Sequence, residues 1–300
     1  MKIRAKAFAK VNPRLKVVGK LSDGYHELDI SFLSINLADR MIFQPTTREE
    51  IEVSTEADIS REENLCYRVA RKLQQTCSIS RGATITLEKE IPIGGGLGGG
   101  SSNAATTLIC LNRLWNCELS RKALIKIGKE FGADVPFFFY GGYCKGRGKG
   151  FDLEKRENVF IDRLVPVIFP PFSQLTSEVY SRFDKLENGI DNQPLRKDYS
   201  ISLRGEVNNF TVENDLQKAA IDLNPELEDY LNILEEASTI ESAGVAGSGS
   251  SIFGISRKDA TSREIKKELE GGLSSISEEA KLTVTRPTNH GQLIKGGGLA

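Results

Sequence analysis

The sequence lacks an apolar run long enough for a membrane helix: its longest, Val135 to Tyr140, falls far short of the roughly 20 residues needed to cross a bilayer. It also lacks the unbroken apolar core of a signal peptide, because Met1 to Val11 alternates Lys and Arg with apolar residues. That alternation predicts a strand. An excess of one charge is missing too: Lys plus Arg total 40 against 41 Asp plus Glu, for a net charge of -1, and no long like-charged run occurs. The balance argues against a nucleic-acid or membrane-surface partner. The 5 cysteines are odd in number and contain no Cys-x-x-Cys pair, so neither a disulfide framework nor a zinc site is indicated. A reducing cytoplasm is the expected compartment.

What remains is an ordinary globular composition, 39% hydrophobic and 27% charged over 300 residues, enough for about two domains with their own cores. Alternation from Ile3 to Val18 predicts a ribbon turning at Ser22-Asp23-Gly24, followed by strands at 41–43 and 51–53. Ser60 and Glu63 have capping-box spacing before Leu65, Val69 and Leu73, which predicts a helix over 61–76. A strand at 84–87, a helix from Ser101 or Ser102 to Trp115 and a helix from a Ser120 cap to Gly132 follow. The Gly- and Lys-rich stretch 141–155 marks a domain boundary near 155. Beyond it, a strand at 164–169, helical patterns at 214–237 and 260–270, and strands at 251–255 and 282–285 read as α+β. The tail after Pro287 is expected to be flexible.

Between the strand at 84–87 and the following helix stand six glycines in seven positions, Gly94 to Gly100 around Leu97, followed by Ser101 and Ser102. Glycines let backbone N–H groups converge on an anion, and a helix N-terminus behind them adds about half a positive charge. The bland alternative is a flexible linker, but linkers are seldom clamped between a clear strand and a clear helix. A dinucleotide fold would need a strand ending in an acidic residue after the helix, and here a second helix follows. A Walker A loop would end Gly-Lys-Ser/Thr, and this one ends Gly-Ser-Ser. Protein-kinase motifs are absent. A different phosphotransfer class is required.

Ile91-Pro92-Ile93 with the glycines and Ser101-Ser102 resembles the phosphate motif of the GHMP small-molecule kinase superfamily. Ala9 to Asn12, Asp23 to Glu27, Gly132 to Phe138 and Gly247 to Ser251 resemble, in order and spacing, the branch acting on a cytidine-diphosphate-linked sugar alcohol. The resemblance covers residues 1 to about 287. It implies an N-terminal domain, 1–155, like the second domain of ribosomal protein S5, and a ferredoxin-like C-terminal substrate domain, 156–300. It implies that ATP, with Mg2+, phosphorylates the 2-hydroxyl of 4-diphosphocytidyl-2-C-methyl-D-erythritol for non-mevalonate isoprenoid precursors. Another superfamily member acting on homoserine, mevalonate or a sugar, or a silent nucleotide-binding regulator, are the alternatives. A monomer or weak dimer is expected.

By the same resemblance Asp134 is the base that deprotonates the attacking hydroxyl, and Lys10 pairs with it. Gly94, Gly95, Gly96, Leu97, Gly98, Gly99, Gly100, Ser101 and Ser102 hold nucleotide phosphates. His26, one of 2 histidines, reads the cytosine edge, Tyr25 and Tyr180 sandwich the ring, and Asn12 contacts substrate. Read alone, Asp134 is equally a turn residue, Lys10 part of a solvated strand face, Tyr180 a helix core residue and Gly247-Ser248-Gly249-Ser250 a strand-entry turn. No acidic cluster identifies metal ligands. Three positions depart from the pattern: Asn103 replaces a frequent Asp, Pro13 stands in the strand that holds Asn12, and Lys149 reverses the charge of an expected Glu.

Overall fold

The computed structural model describes residues 2–156, 161–187 and 211–295. Charged and apolar residues alternate along β1, Ile3–Lys20, so one face is buried while Lys2, Arg4 and Lys6 point to water. The chain turns over residues 21–25 into β2, His26–Pro45, so the segment at 41–43 is the far end of one long strand and not a strand of its own. Pro13 lies in a register shift between Val11 and Arg14, where its missing N–H removes no regular ladder bond. β3, Ile51–Thr55, runs parallel to β4, Ala83–Glu88, with α1, Leu65–Thr76, between them. α1 starts later than the capping-box spacing predicted, because Asn64 caps it by accepting from the Cys66 N–H at 2.9 Å. Ser60 and Glu63 bond each other at 2.6 Å in the preceding turn instead.

α2, Gly99–Leu114, carries small and aliphatic residues on all sides and is almost wholly buried. α3, Arg121–Lys129, has the Ser120 cap, which accepts from the Ala123 N–H at 3.3 Å. Gly132 and Ala133 lead to a short helix, α4, Val135–Tyr140. Phe137 and Phe138 are fully buried within it, each contributing about 1.5–3 kcal/mol by the area it removes from water. The Gly- and Lys-rich stretch forms a hairpin, β5, Tyr143–Gly148, and β6, Asp152–Lys155, hydrogen-bonded to β2 through β5.

The second sheet has the order β11-β7-β10-β9, all neighbours antiparallel. Its strands are β7, Val165–Phe169, β9, Ile240–Val245, β10, Ile252–Ser256, and β11, Lys281–Thr285. α5, Thr176–Glu187, α6, Gln217–Leu223, and α7, Glu226–Glu235, lie between β7 and β9, and α8, Ser262–Ile276, between β10 and β11. This split β-α-β arrangement is ferredoxin-like. The pattern at 214–237 is two helices because Pro225 cannot continue α6.

Two short strands cross to the first sheet. β8, Glu213–Asn214, pairs with Arg14 and Leu15, and β12, Gln292–Lys295, pairs with Arg4 to Ala7. The expectation of a loose tail after Pro287 is therefore corrected as far as Lys295: the exposed edge of β1 accepts a strand there. Residues 296–300 lie outside the described part.

Candidate active site

β4 delivers the chain to the glycine loop, and a carboxylate anchors the loop's start. Asp39, fully buried on β2, accepts from the N–H groups of Glu90 and Ile91, both at 2.8 Å, from Asn103 at 2.9 Å and from the Lys89 ammonium. A buried carboxylate needs such partners to stay ionised. The carboxamide of Asn103 bridges Lys89 and Asp39, which explains how this position works without a carboxylate. Asp39 and Lys89 carry no motif signal, and sequence reasoning missed both.

Gly98 takes φ +70 at the start of α2, and no side chain caps the helix. Its first-turn amides are thus not taken by a capping side chain. A Cβ on Gly98 would stand 2.8 Å from Phe138 Cζ and 3.1 Å from Lys10 Cε, so only glycine lets the loop close over these residues. A Cβ on Gly96 would stand 1.8 Å from the Ala246 carbonyl oxygen. That contact belongs to the Gly247-Ser248-Gly249-Ser250 turn between β9 and β10, which packs on the glycine loop through a 3.2 Å bond from Ser251 N–H to Gly95 O.

Lys10 is 4% exposed and does not sit on the solvated face with Lys2, Arg4 and Lys6. A register shift after Phe8 turns it inward. Its ammonium donates to Gly96 O at 2.7 Å and Asn12 Oδ1 at 2.8 Å and lies 3.3 Å from Asp134 Oδ2. Asn12, fully buried, donates in turn to Ser31 O at 3.0 Å. Asp134 precedes α4 without making a side-chain cap bond, so its carboxylate is not committed to the local turn and its side chain is 32% exposed.

The far end of the same cavity is built from side chains. Tyr25, 61% exposed, lies under the Lys149 ammonium at 4.0 Å from the ring centroid, and Lys149 is ion-paired to Asp23. Lys149 holds the Asp23 carboxyl below its ordinary range. His26 stacks on Tyr180 with centroids 4.7 Å apart and an interplanar angle of 27°, so Tyr180 faces His26 rather than standing free opposite Tyr25. Burial first, and the Asp134 charge second, push the Tyr180 phenol up. Asp184, another residue without a motif, bonds His26 and Lys20.

One cavity of about 1180 Å³ takes in the glycine loop, Lys10, Asp134, Tyr25, His26, Tyr180, and a third corner at Asn64, Leu65 and Lys89. Sites for one small ligand run from about 300 to 1,000 Å³, so this volume suits two molecules side by side. Cys66 also lines it, but burial pushes its thiol up to about 11, leaving it unreactive. Among the described residues no helix is long and apolar enough to cross a membrane.

Two family models match the chain: the GHMP kinase N-terminal domain over residues 64–142 and the GHMP kinase C-terminal domain over 201–273. With the glycine loop opening α2 and the second sheet's turn packed on it, fold and site define an ATP-dependent small-molecule kinase of the GHMP type. A 4-diphosphocytidyl-2-C-methyl-D-erythritol kinase from Thermodesulfovibrio yellowstonii is 37% identical over 274 residues, covering 90% of this chain and 95% of the relative. The chain belongs to the 4-diphosphocytidyl-2-C-methyl-D-erythritol kinase family of the GHMP kinases. A crystal structure of 4-(cytidine 5'-diphospho)-2C-methyl-D-erythritol kinase is 28% identical and superposes with a TM-score of 0.73, over 98% of this chain and 100% of the other. A homoserine kinase from Cytophaga hutchinsonii, 19% identical with a TM-score of 0.70 over 98% of this chain and 97% of that one, shares the fold.

Proposed function

We propose that the chain transfers the γ-phosphoryl group of ATP to the 2-hydroxyl of 4-diphosphocytidyl-2-C-methyl-D-erythritol, as a cytoplasmic monomer or weak dimer, with the domain division near residue 155. The observation that carries this reading is one continuous cavity, with a buried Lys10 paired to a half-buried Asp134 beside the glycine loop and an aromatic and histidine cluster at its far end.

In this reading Gly94 to Ser102 wrap nucleotide phosphates with backbone N–H groups, and the start of α2 contributes its dipole. Asp134 takes the proton of the attacking hydroxyl at Oδ2. Lys10 stabilises that carboxylate and the negative charge of the transferring group; its bonds to Gly96 O and Asn12 hold the ammonium in place before substrate arrives. Asn12 contacts the acceptor. Tyr25 offers its ring to the cytosine, His26 its polar edge, and Tyr180, stacked on His26, closes the far side.

The donor set available for magnesium is thin. No group of three or more His, Cys, Asp or Glu among the described residues could hold a metal, while the buried Ser102 Oγ at the base of the loop has no partner. These donors fit an ion carried chiefly by the nucleotide phosphates, which Ser102 and Asp134 would help to hold and which would neutralise phosphate charge. The deciding experiment is ATP consumption with the cytidyl substrate compared with free methylerythritol, homoserine, mevalonate and galactose. Activity confined to the cytidyl compound is expected. Equal turnover of homoserine or mevalonate would favour a different GHMP activity, and no turnover of any would favour a silent regulator.

A further inference from the structure

Nothing in the recognised motifs accounts for Asp184, yet it binds the far end of the cavity together. Its Oδ1 lies 2.6 Å from His26 Nε2 and its Oδ2 lies 2.7 Å from the Lys20 ammonium. Lys20 and His26 are cross-strand partners at the mouth of the β1–β2 ribbon, so one carboxylate ties both strands to α5. Tyr180, one helical turn before Asp184, covers a face of the same imidazole, and Phe183 meets it edge-on at 6.0 Å and 79°. The ring is therefore held in its plane by Asp184 and across its face by α5.

An ionised carboxylate only accepts hydrogen bonds, so Nε2 must carry the proton it donates. Burial favours the neutral carboxyl, but bonds from Lys20 and His26 outweigh it and keep Asp184 below the ordinary carboxylate range. Which nitrogen of a histidine carries its proton is set by the partner of the other, and a neutral ring that bonds Asp184 through Nε2–H leaves Nδ1 as a lone-pair acceptor.

We infer that Asp184 is a positioning residue that locks His26 as the Nε2–H tautomer, so that Nδ1 favours a base presenting an amino group over one presenting a carbonyl. This rests on the base-site reading above. It assigns Asp184 a part in substrate selectivity rather than in phosphoryl transfer.

Two measurements test it. The chain has 2 histidines, so 15N-histidine labelling of the ligand-free protein, with His290→Gln for assignment, reports the His26 tautomer directly. The Nε2–H form is expected in the wild type, and loss of that preference in Asp184→Asn, whose amide can donate to Nε2. In steady-state kinetics Asp184→Ala should raise KM for the cytidyl substrate roughly tenfold with kcat within about twofold. Asp184→Glu should recover part of it, and Asp184→Asn should lower the ratio of cytidyl to uridyl substrate use. An unchanged tautomer in Asp184→Asn overturns the inference, as does a fall in melting temperature with KM and base ratio unmoved. If the tautomer shifts but neither His26→Ala nor Asp184→Ala alters KM, the base-site reading fails and the selectivity role falls with it.

Discussion

The two ends of the cavity are made of different material. At the phosphate end the surface is backbone, with glycines closed over a buried lysine that is bonded on three sides. At the base end it is side chain, an exposed tyrosine and a stacked histidine, braced by the pairs Lys149–Asp23 and Lys20–Asp184. A backbone surface contacts groups common to every nucleotide, while a side-chain surface can be exchanged to choose a substrate. Damage at the first end should therefore appear in kcat or nucleotide affinity, and damage at the second in KM for the acceptor.

The largest effect is expected at the pair proposed to carry the chemistry. Asp134→Asn should bind substrate normally and lose about 10² to 10⁴ in kcat, toward the lower end because phosphoryl transfer depends mainly on positioning. Lys10→Ala should also lose turnover, with the double mutant little worse than the poorer single mutant. Rapid-quench turnover checks this; a loss of only a few-fold in folded Asp134→Asn would remove it from the role of base.

Next comes His26→Ala, which should weaken use of the cytidyl substrate by about 1–3 kcal/mol while ATP binding stays unchanged. Calorimetry with nucleotide and kinetics with acceptor separate the two. A drop in nucleotide affinity would mean that the two ends are not independent.

The backbone end is best probed at Gly100, where a Cβ meets only Leu65 Cδ1 at an ordinary 3.5 Å. Gly100→Ala should raise stability by about 0.5–1 kcal/mol, as Gly to Ala does inside helices. It should nonetheless weaken ATP binding severalfold, since in the proposed reading the methyl group would stand where phosphate approaches the backbone. Denaturant unfolding and calorimetry on one preparation read both; Gly98 is a poorer probe because its Cβ would strike the Phe138 ring and crowd Lys10.

The smallest effect is expected at Lys149→Glu. An ammonium over an exposed ring is worth about 0.5–1 kcal/mol, so KM for the acceptor should rise about two- to fivefold with kcat unchanged. Lys149→Arg should keep most of the wild-type value.

Much of this comparison was legible in the chain. The β1–β2 ribbon, the helix after the glycines and the Ser120 cap all follow from local signals, and the glycine loop from its density of residues without Cβ. What escaped was built by distant partners. α4 is a short run of apolar residues with no helical period, and it is helical because Pro136 and the phenylalanines pack beneath the loop. The β5–β6 hairpin reads only as a Gly- and Lys-rich stretch before a domain boundary, because its glycines and lysines give no alternation; its strand character comes from pairing with β2. Lys10 read as a surface residue because a bulge, invisible to a period of two, turns it inward. Asp39 and Asp184 read as ordinary charged residues, since their partners lie across the fold.

The β12 pairing has a consequence for how the enzyme is made. Synthesis reaches Ile3–Lys20 long before Gln292–Lys295, yet these segments are neighbours in one sheet. Gly291, just before β12, accepts from Phe8 N–H at 3.1 Å and leaves no room for a Cβ against Phe138 O, 1.9 Å away. Phe138 is the ring that backs Gly98. A nascent chain can thus collapse around α2 early but keeps the edge of β1 open until β12 has been made. Closing that edge, and with it the packing of Gly291 on Phe138 behind the glycine loop, waits on β12.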